Sequence, residues 1–244
     1  MAIKYLIASG KGGVGKSSIV AGLSKALSAT GKNVLCIDAD VGLRCLDILL
    51  SVGNDAIFNW GDLIEKSCDT EKAIVKTAKN YPDLLMPPLK LNEKITAKSF
   101  KEMTLLFDND YDYIFIDAPA GISDILEITA FSADKFIIVA NPDLISVRSA
   151  AMAAEKLEEM IIGCDIRLII NRFDRYEVIE NYQMNIDEVV DGTLVRLLGI
   201  IPDDITIKLM ANEVKLSRNA KNAFIRIAER IEGKDVPLNL KKNF

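Results

Sequence analysis

The chain has 244 residues, half of them hydrophobic and 27% charged, a balance that suits one soluble globular α/β domain with a sizeable core. With 30 Lys and Arg against 35 Asp and Glu, a net charge of −5, it carries no general electrostatic attraction for nucleic acid. Cys36, Cys45, Cys68 and Cys164 form no C-x-x-C pair and have no histidine to join them, so their spacing does not describe a zinc or iron–sulfur site.

In chain order, residues 3–9 read as a strand that passes through a glycine-rich loop into a helix over 16–30. Strands follow at 34–38 and 84–86, then a helix over 97–108. Strand 113–117 leads to helix 123–132, and strand 136–140 to helix 146–160. Strands 166–171 and 197–201 come next, and a helix over 217–231 closes the series. The strands are rich in β-branched and aromatic residues and do not alternate apolar with polar, so helices cover both faces. The alternation predicts an α/β fold: a doubly wound, mainly parallel sheet with right-handed crossovers. One domain is expected over 1–232, with a short tail over 233–244. No apolar run approaches the roughly 20 residues that span a bilayer, and no signal peptide precedes the first strand. The cytoplasm is the expected compartment.

The most informative segment is Gly10-Lys11-Gly12-Gly13-Val14-Gly15-Lys16-Ser17-Ser18. It satisfies the P-loop pattern and sits between a strand and a helix, as that motif requires. Glycines let backbone N–H groups turn inward around a phosphate, and the helix N-terminus adds partial positive charge. Lys16 is placed for the β- and γ-phosphates, Ser17 for Mg²⁺ and Ser18 for the α-phosphate. A dinucleotide-binding turn has no role for Lys16 and Ser17. Lys11 is an addition to the ordinary loop: either a solvated lysine or a second cation for the phosphates, within one site or across a dimer.

A P-loop needs carboxylates, and two strand ends supply them. Asp38 ends one apolar run and is followed by Asp40; Asp117 ends another and is followed by Ala118-Pro119-Ala120-Gly121. In open α/β sheets ligands bind at the carboxyl ends of strands. Asp117 reads as the aspartate that reaches Mg²⁺ through water, against the plainer role of a turn former or helix cap.

With these residues in place the chain resembles the MinD/ParA family of ATPases, its MinD branch most closely. The resemblance rests on the segment from Ser9 to Ser17; on Asp38-Ala39-Asp40-Val41-Gly42-Leu43-Arg44 with Leu46-Asp47; on the Asp117–Gly121 segment; on Asn141-Pro142-Asp143 with Ser146-Val147-Arg148; and on Gly199-Ile200-Ile201-Pro202-Asp203-Asp204. It implies an ATP-bound homodimer with two nucleotides between facing subunits and Lys11 reaching the partner's phosphates. Asp40 would position the attacking water, and Asp38 would support the Mg²⁺ and water network. Asn171 and Arg172 match positions that contact adenine, and Pro202 and Asp203 would flank the base. The resemblance further implies slow, partner-stimulated hydrolysis of ATP to ADP, recruitment of a division inhibitor, control of septum placement, and a peripheral place at the inner face of the membrane.

Two features depart from that pattern. Cys45 stands where the MinD branch usually carries asparagine. The tail has Leu238, Leu240 and Phe244 against Lys241 and Lys242, with Pro237 before them, which falls short of the wide apolar face a membrane helix needs. Weak or absent membrane binding is therefore expected of this chain. The competing functions are a ParA-like or flagellar-number ATPase that positions another cargo, nitrogenase-type electron transfer, and a metabolic ligase. Arg44 with Leu43 and Leu46 favours the MinD type, no cysteine lies near Asp117 to hold a bridging cluster, and no ligase substrate pocket can be read.

Overall fold

Strand β1 (Ile3–Ala8) sends Leu6 and Ala8 into one hydrophobic core and Tyr5 and Ile7 into another, with all four buried. Strand β5 (Tyr113–Asp117) does the same, with Ile114 and Ile116 on one side and Tyr113 and Phe115 on the other. Side chains alternate across a strand, so an unbroken apolar run is what a sheet with two covered faces requires. The structure, a computed structural model, describes residues 1–41, 44–53 and 57–238.

The sheet has eight strands in the order β3-β4-β2-β5-β1-β6-β7-β8. Its remaining members are β2 (Val34–Asp38), β3 (Ile74–Val75), β4 (Asp83–Leu85), β6 (Lys135–Ala140), β7 (Asp165–Phe173) and β8 (Leu197–Pro202). All pairings are parallel except that of β3 with β4. From β1 the chain winds outward to β2 and β4, returns to β5, then crosses to β6, β7 and β8. The reversal places a crevice beyond the carboxyl end of β1, where ligands bind in such sheets.

Helix α1 (Lys16–Ser28) and the last helix, α11 (Arg218–Ile231), cover one face through Ile19, Leu23, Phe224 and Ile227. Their crossing depends on Gly22: a Cβ there would lie 2.3 Å from the Phe224 ring. The other face carries α3 (Trp60–Ile64), α5 (Ala97–Leu105), α6 (Asp124–Ala130), α7 (Leu144–Met160) and α9 (Ile186–Thr193). The short α2 (Leu46–Leu50), α4 (Thr70–Ala73), α8 (Arg175–Ile179) and α10 (Ile205–Lys208) lie in the connections.

All seven expected strands and five expected helices are present, with shifts that have local causes. Helix α7 begins at Leu144 because Asp143 caps it, accepting from the Ser146 N–H at 2.9 Å. Strand β4 lies one residue earlier than expected. Strand β3, two residues long, is too short to show a periodicity. Strand β7 runs on to Phe173, so Arg172 lies within it with Asn171 rather than in a following loop. No helix among the described residues is long and apolar enough to cross a membrane. After α11 the chain turns at Gly233, and the Arg230 guanidinium donates to the Val236 carbonyl at 2.8 and 2.9 Å. The tail residues Leu240, Lys241, Lys242 and Phe244, and Gly42 and Leu43 of the loop after β2, lie outside the described residues.

Candidate functional site

The glycine loop joins β1 to α1 at the crevice. Gly15 caps α1 with φ 94° and ψ 25°, a left-handed conformation that glycine adopts without a steric penalty. Among the described residues no side chain caps this terminus, so the first-turn N–H groups can take an anionic ligand. Gly10 answers a packing need: a Cβ there would lie 1.8 Å from the Ser149 carbonyl oxygen of α7. The Ser9 hydroxyl donates to the Lys11 carbonyl at 2.8 Å, and the Gly121 N–H donates to the Ser9 carbonyl at 2.9 Å, tying this loop to the one after Asp117. Gly12, Gly13 and Lys11 line the exposed rim, and Val14 is buried.

Parallel pairing of β2 with β5 sets Asp38 directly opposite Asp117, both buried. Their carboxylates are used differently. Asp38 accepts from the Asp40 N–H at 2.9 Å and from the Cys45 and Leu46 N–H groups at 3.3 Å each, so it organises the loop that carries Asp40. Trp60 fixes the same strand end from the other side, its indole N–H donating to the Asp38 carbonyl at 2.9 Å. Asp117 Oδ1, by contrast, is buried with no hydrogen-bond partner among the described residues. Burial, and then the charge of Asp38, pushes the Asp117 carboxyl up to about 7, against the pull of Ser17 and Lys16. Asp38 is raised to about 6, chiefly by burial. Lys16 is 8% exposed; burial lowers its pKa, while Asp117 and Asp40 oppose the fall.

Two buried carboxylates, one with an unpartnered oxygen, beside a hydroxyl and an amine make a place for a divalent cation and an anionic ligand together. Among the described residues no cluster of three His, Cys, Asp or Glu could hold a metal alone. That fits Mg²⁺, which commonly uses one or two carboxylates together with substrate phosphates. The residues present therefore fit Mg²⁺ and a nucleotide phosphate chain.

A cleft of about 210 Å³ adjoins the loop, and Gly15, Ser18, Asn171, Arg172, Pro202 and Asp203 all line it. Three segments far apart in sequence thus meet at one place, with Lys208 bonded to Asp203 at 2.7 Å on the wall. A larger open groove of about 850 Å³ lies at the far end of α1, but two of its polar side chains are already bonded to backbone carbonyls. Lys25 donates there to the Leu49 carbonyl at 2.7 Å, and the Tyr81 hydroxyl to Leu50 at 2.9 Å. The crevice at β1 has the reactive groups and is the better site.

Lys11 does not turn toward the loop's own centre in the single chain: its amine lies 3.8 Å from Asp143 Oδ1, and both side chains are nearly half exposed. Asp143 has no assigned part in the sequence reading, although an aspartate directly before an apolar-periodic run is a helix-start signal. Trp60 and the bond from the Asn171 side-chain amide, which donates to the Val14 carbonyl of the loop at 2.7 Å, carry no local motif by which a sequence could reveal them.

Residues 5–216 match the family described as the CobQ/CobB/MinD/ParA nucleotide binding domain. The septum site-determining protein MinD of Synechocystis sp. is 37% identical over 242 residues, covering 95% of this chain and 90% of its own. That of Bacillus subtilis is 35% identical over 244 residues, covering 96% and 91%. Among solved structures, the MinC:MinD cell division protein complex of Aquifex aeolicus superposes with a TM-score of 0.88 at 32% identity, covering 98% of each chain. MinD of Pyrococcus horikoshii complexed with Mg-ADP gives a TM-score of 0.81 at 27% identity, covering 95% and 96%.

Proposed function

The chain belongs to the CobQ/CobB/MinD/ParA family of nucleotide-binding domains, and from that premise we propose that it is a MinD-type ATPase, a dimerisation switch that regulates placement of the division septum. The observation that carries the site assignment is the unpartnered Asp117 oxygen, buried beside Asp38 and Lys16 at the mouth of the phosphate loop. The septum site-determining names of its relatives support the cellular role.

In this reading Lys16 and the first-turn N–H groups of α1 hold the β- and γ-phosphates. Ser17 and Asp117 hold Mg²⁺, and Asp38 contributes by shaping the loop between them. When bound, Mg²⁺ neutralises charge that develops on the phosphate oxygens. Asp40 orients the attacking water. Asn171, Arg172, Pro202 and Asp203 enclose the base. Lys11, held outward by Asp143, meets the phosphates of a facing subunit, so the complete site exists only in an ATP-bound homodimer. That dimer recruits an inhibitor of the MinC type, and a second partner stimulates hydrolysis. The protein works in the cytoplasm and at the inner face of the membrane.

Sedimentation with Mg-ADP and with Mg-ATP tests this reading, using a variant impaired in hydrolysis, Asp40→Ala. A dimer with ATP and a monomer with ADP are expected. A monomer in both states, at nucleotide concentrations that saturate the protein, overturns the switch.

A further inference from the structure

The peptide unit between Asp38 and Ala39 is where the chain leaves β2 for Asp40, and both of its polar atoms are held. The Ala39 N–H donates to the Asp117 carbonyl at 3.0 Å, from the neighbouring strand. The Asp38 carbonyl accepts from the Trp60 indole N–H at 2.9 Å, in a buried bond. A peptide unit is planar, so fixing both of its edges sets the direction in which the backbone departs toward Asp40. The Asp38 carboxylate continues the same task, accepting from the N–H groups of Asp40, Cys45 and Leu46.

Trp60 is itself placed by contacts outside that loop. It is the one tryptophan of the chain, 1% exposed, and the first residue of α3. A reciprocal cap fixes the start of that helix: the Asn59 side chain accepts from the Gly61 N–H at 2.8 Å, and the Asp62 carboxylate from the Asn59 N–H at 2.9 Å. The indole meets the Phe100 ring of α5 edge to face, with centroids 5.3 Å apart. The Trp60 backbone N–H donates to the Met86 carbonyl at 3.0 Å, just past β4. Pro87 and Pro88 follow, each with a backbone angle locked by its ring. Helix α3 comes so near them that a Cβ on Gly61 would lie 3.0 Å from Pro88 Cβ. The Arg44 guanidinium donates to the Pro87 carbonyl at 2.7 Å. Both ends of the 38–46 segment are thus tied to one stiff support, Asp38 through Trp60 and Arg44 directly.

We propose that Trp60 is a positioning residue for hydrolysis: through the Asp38 carbonyl it aims the loop that carries Asp40 before any nucleotide arrives. The inference rests on the nucleotide-site reading above and adds to it a residue that lies outside the phosphate loop. The indole N–H is a donor with no acceptor role, and a buried carbonyl that loses its donor must find another partner. The peptide unit then turns, and Asp40 turns with it. A misplacement of about 1 Å in a group that orients a reactant costs roughly 100-fold in rate. Phosphate affinity, which comes from Lys16 and the start of α1, is left in place.

A single tryptophan makes the test clean. Replacing it throughout the chain with benzothienylalanine exchanges the indole N–H for sulfur and keeps the shape of the ring; Trp60→Phe is the encoded counterpart. Without nucleotide, amide exchange at Asp40, Cys45 and Leu46 is expected to quicken about tenfold in both chains, with exchange in β1 and α11 unchanged. No change at those three amides overturns the brace. Equal quickening in β1 and α11 reports loosening of the whole fold and overturns it as well. With saturating Mg-ATP, single-turnover hydrolysis is expected to slow about 10–100-fold, while Mg-ATP affinity stays within about threefold. A rate within about twofold of the parent, after thermal unfolding has accounted for any unfolded fraction, overturns the positioning role. Fluorotryptophan keeps the donor and should behave like the parent; if it behaves like benzothienylalanine, the ring and not the bond is responsible and the proposal fails. A parent chain that neither binds nor hydrolyses Mg-ATP refutes the nucleotide site, a separate result, and the exchange measurement still decides the brace.

Discussion

Asp117→Asn should make the magnesium-free protein more stable, although it removes a side chain assigned to Mg²⁺. Asp117 is 1% exposed and faces Asp38 across adjacent strands. Its carboxyl, raised from 3.8 to about 7 by burial and by Asp38, opposes ionisation in the fold by about 4 kcal/mol. Asparagine removes that charge but buries an amide in its place, so about half, roughly 2 kcal/mol, should be recovered. The folded carboxyl holds its proton more tightly than the unfolded one. The stability this confers is full below 3.8 and is lost as pH rises through the folded value. The advantage of the asparagine variant should therefore be largest at about pH 8 and shrink steadily toward about pH 5. Urea unfolding in EDTA at these two pH values measures it. Adding Mg-ATP should reverse the order, because a ligand that binds the native state stabilises only the chain that binds it. A variant less stable than its parent at the higher pH in EDTA, or a gap that does not move with pH, refutes the paired-carboxylate argument.

Three further substitutions test other parts of the site and fold. Lys16→Ala should weaken Mg-ATP binding by about 100-fold or more, since a buried amine leaves the phosphate charge without its nearest cation; fluorescence titration with a labelled nucleotide measures this. Lys11→Ala should leave ATP affinity within about threefold while abolishing the ATP-dependent dimer, as read by sedimentation. Gly22→Ala forces the Phe224 ring off α1 and should cost about 1–3 kcal/mol of stability by urea midpoint, a loss that Phe224→Leu in the same chain should partly restore.

The strands and long helices were legible because each obeys a simple period: runs such as 113–117 are apolar throughout when both faces are covered, and the final helix repeats its apolar residues every three or four positions. The phosphate loop was legible because a fixed spacing of glycine, lysine and serine serves one chemistry. What could not be read depends on contacts between distant segments. That Asp38 and Asp117 stand side by side follows from β2 pairing with β5, which no local pattern reveals. That Asn171 reaches Val14 goes with an irregularity near the end of β7, which carries the strand past the 166–171 run to Phe173. Asp143 carried a recognisable capping signal, yet its proximity to Lys11 required the loop and α7 to be brought together.

In the proposed dimer the two lysines of the loop have opposite tasks. Lys16 is buried among Asp117, Asp40 and the start of α1, so its position is fixed before any ligand arrives and little ordering remains to be done on binding. The Lys11 amine has an exposed pairing with Asp143 at 3.8 Å, a kind of contact worth roughly 0–1 kcal/mol. Releasing it therefore costs little against the gain from desolvated contact with a triphosphate. A lysine buried like Lys16 could not be lent to a neighbouring molecule, and one entirely free would have more side-chain entropy to lose. Weak outward tethering by Asp143 is what a cation needs if it is to leave its own chain and complete another's site. Asp143→Ala should accordingly leave ATP-dependent dimerisation in place, because the tether organises Lys11 without being the contact that closes the dimer; loss of the dimer in that variant, measured by sedimentation with Mg-ATP, would show that Asp143 belongs to the interface itself.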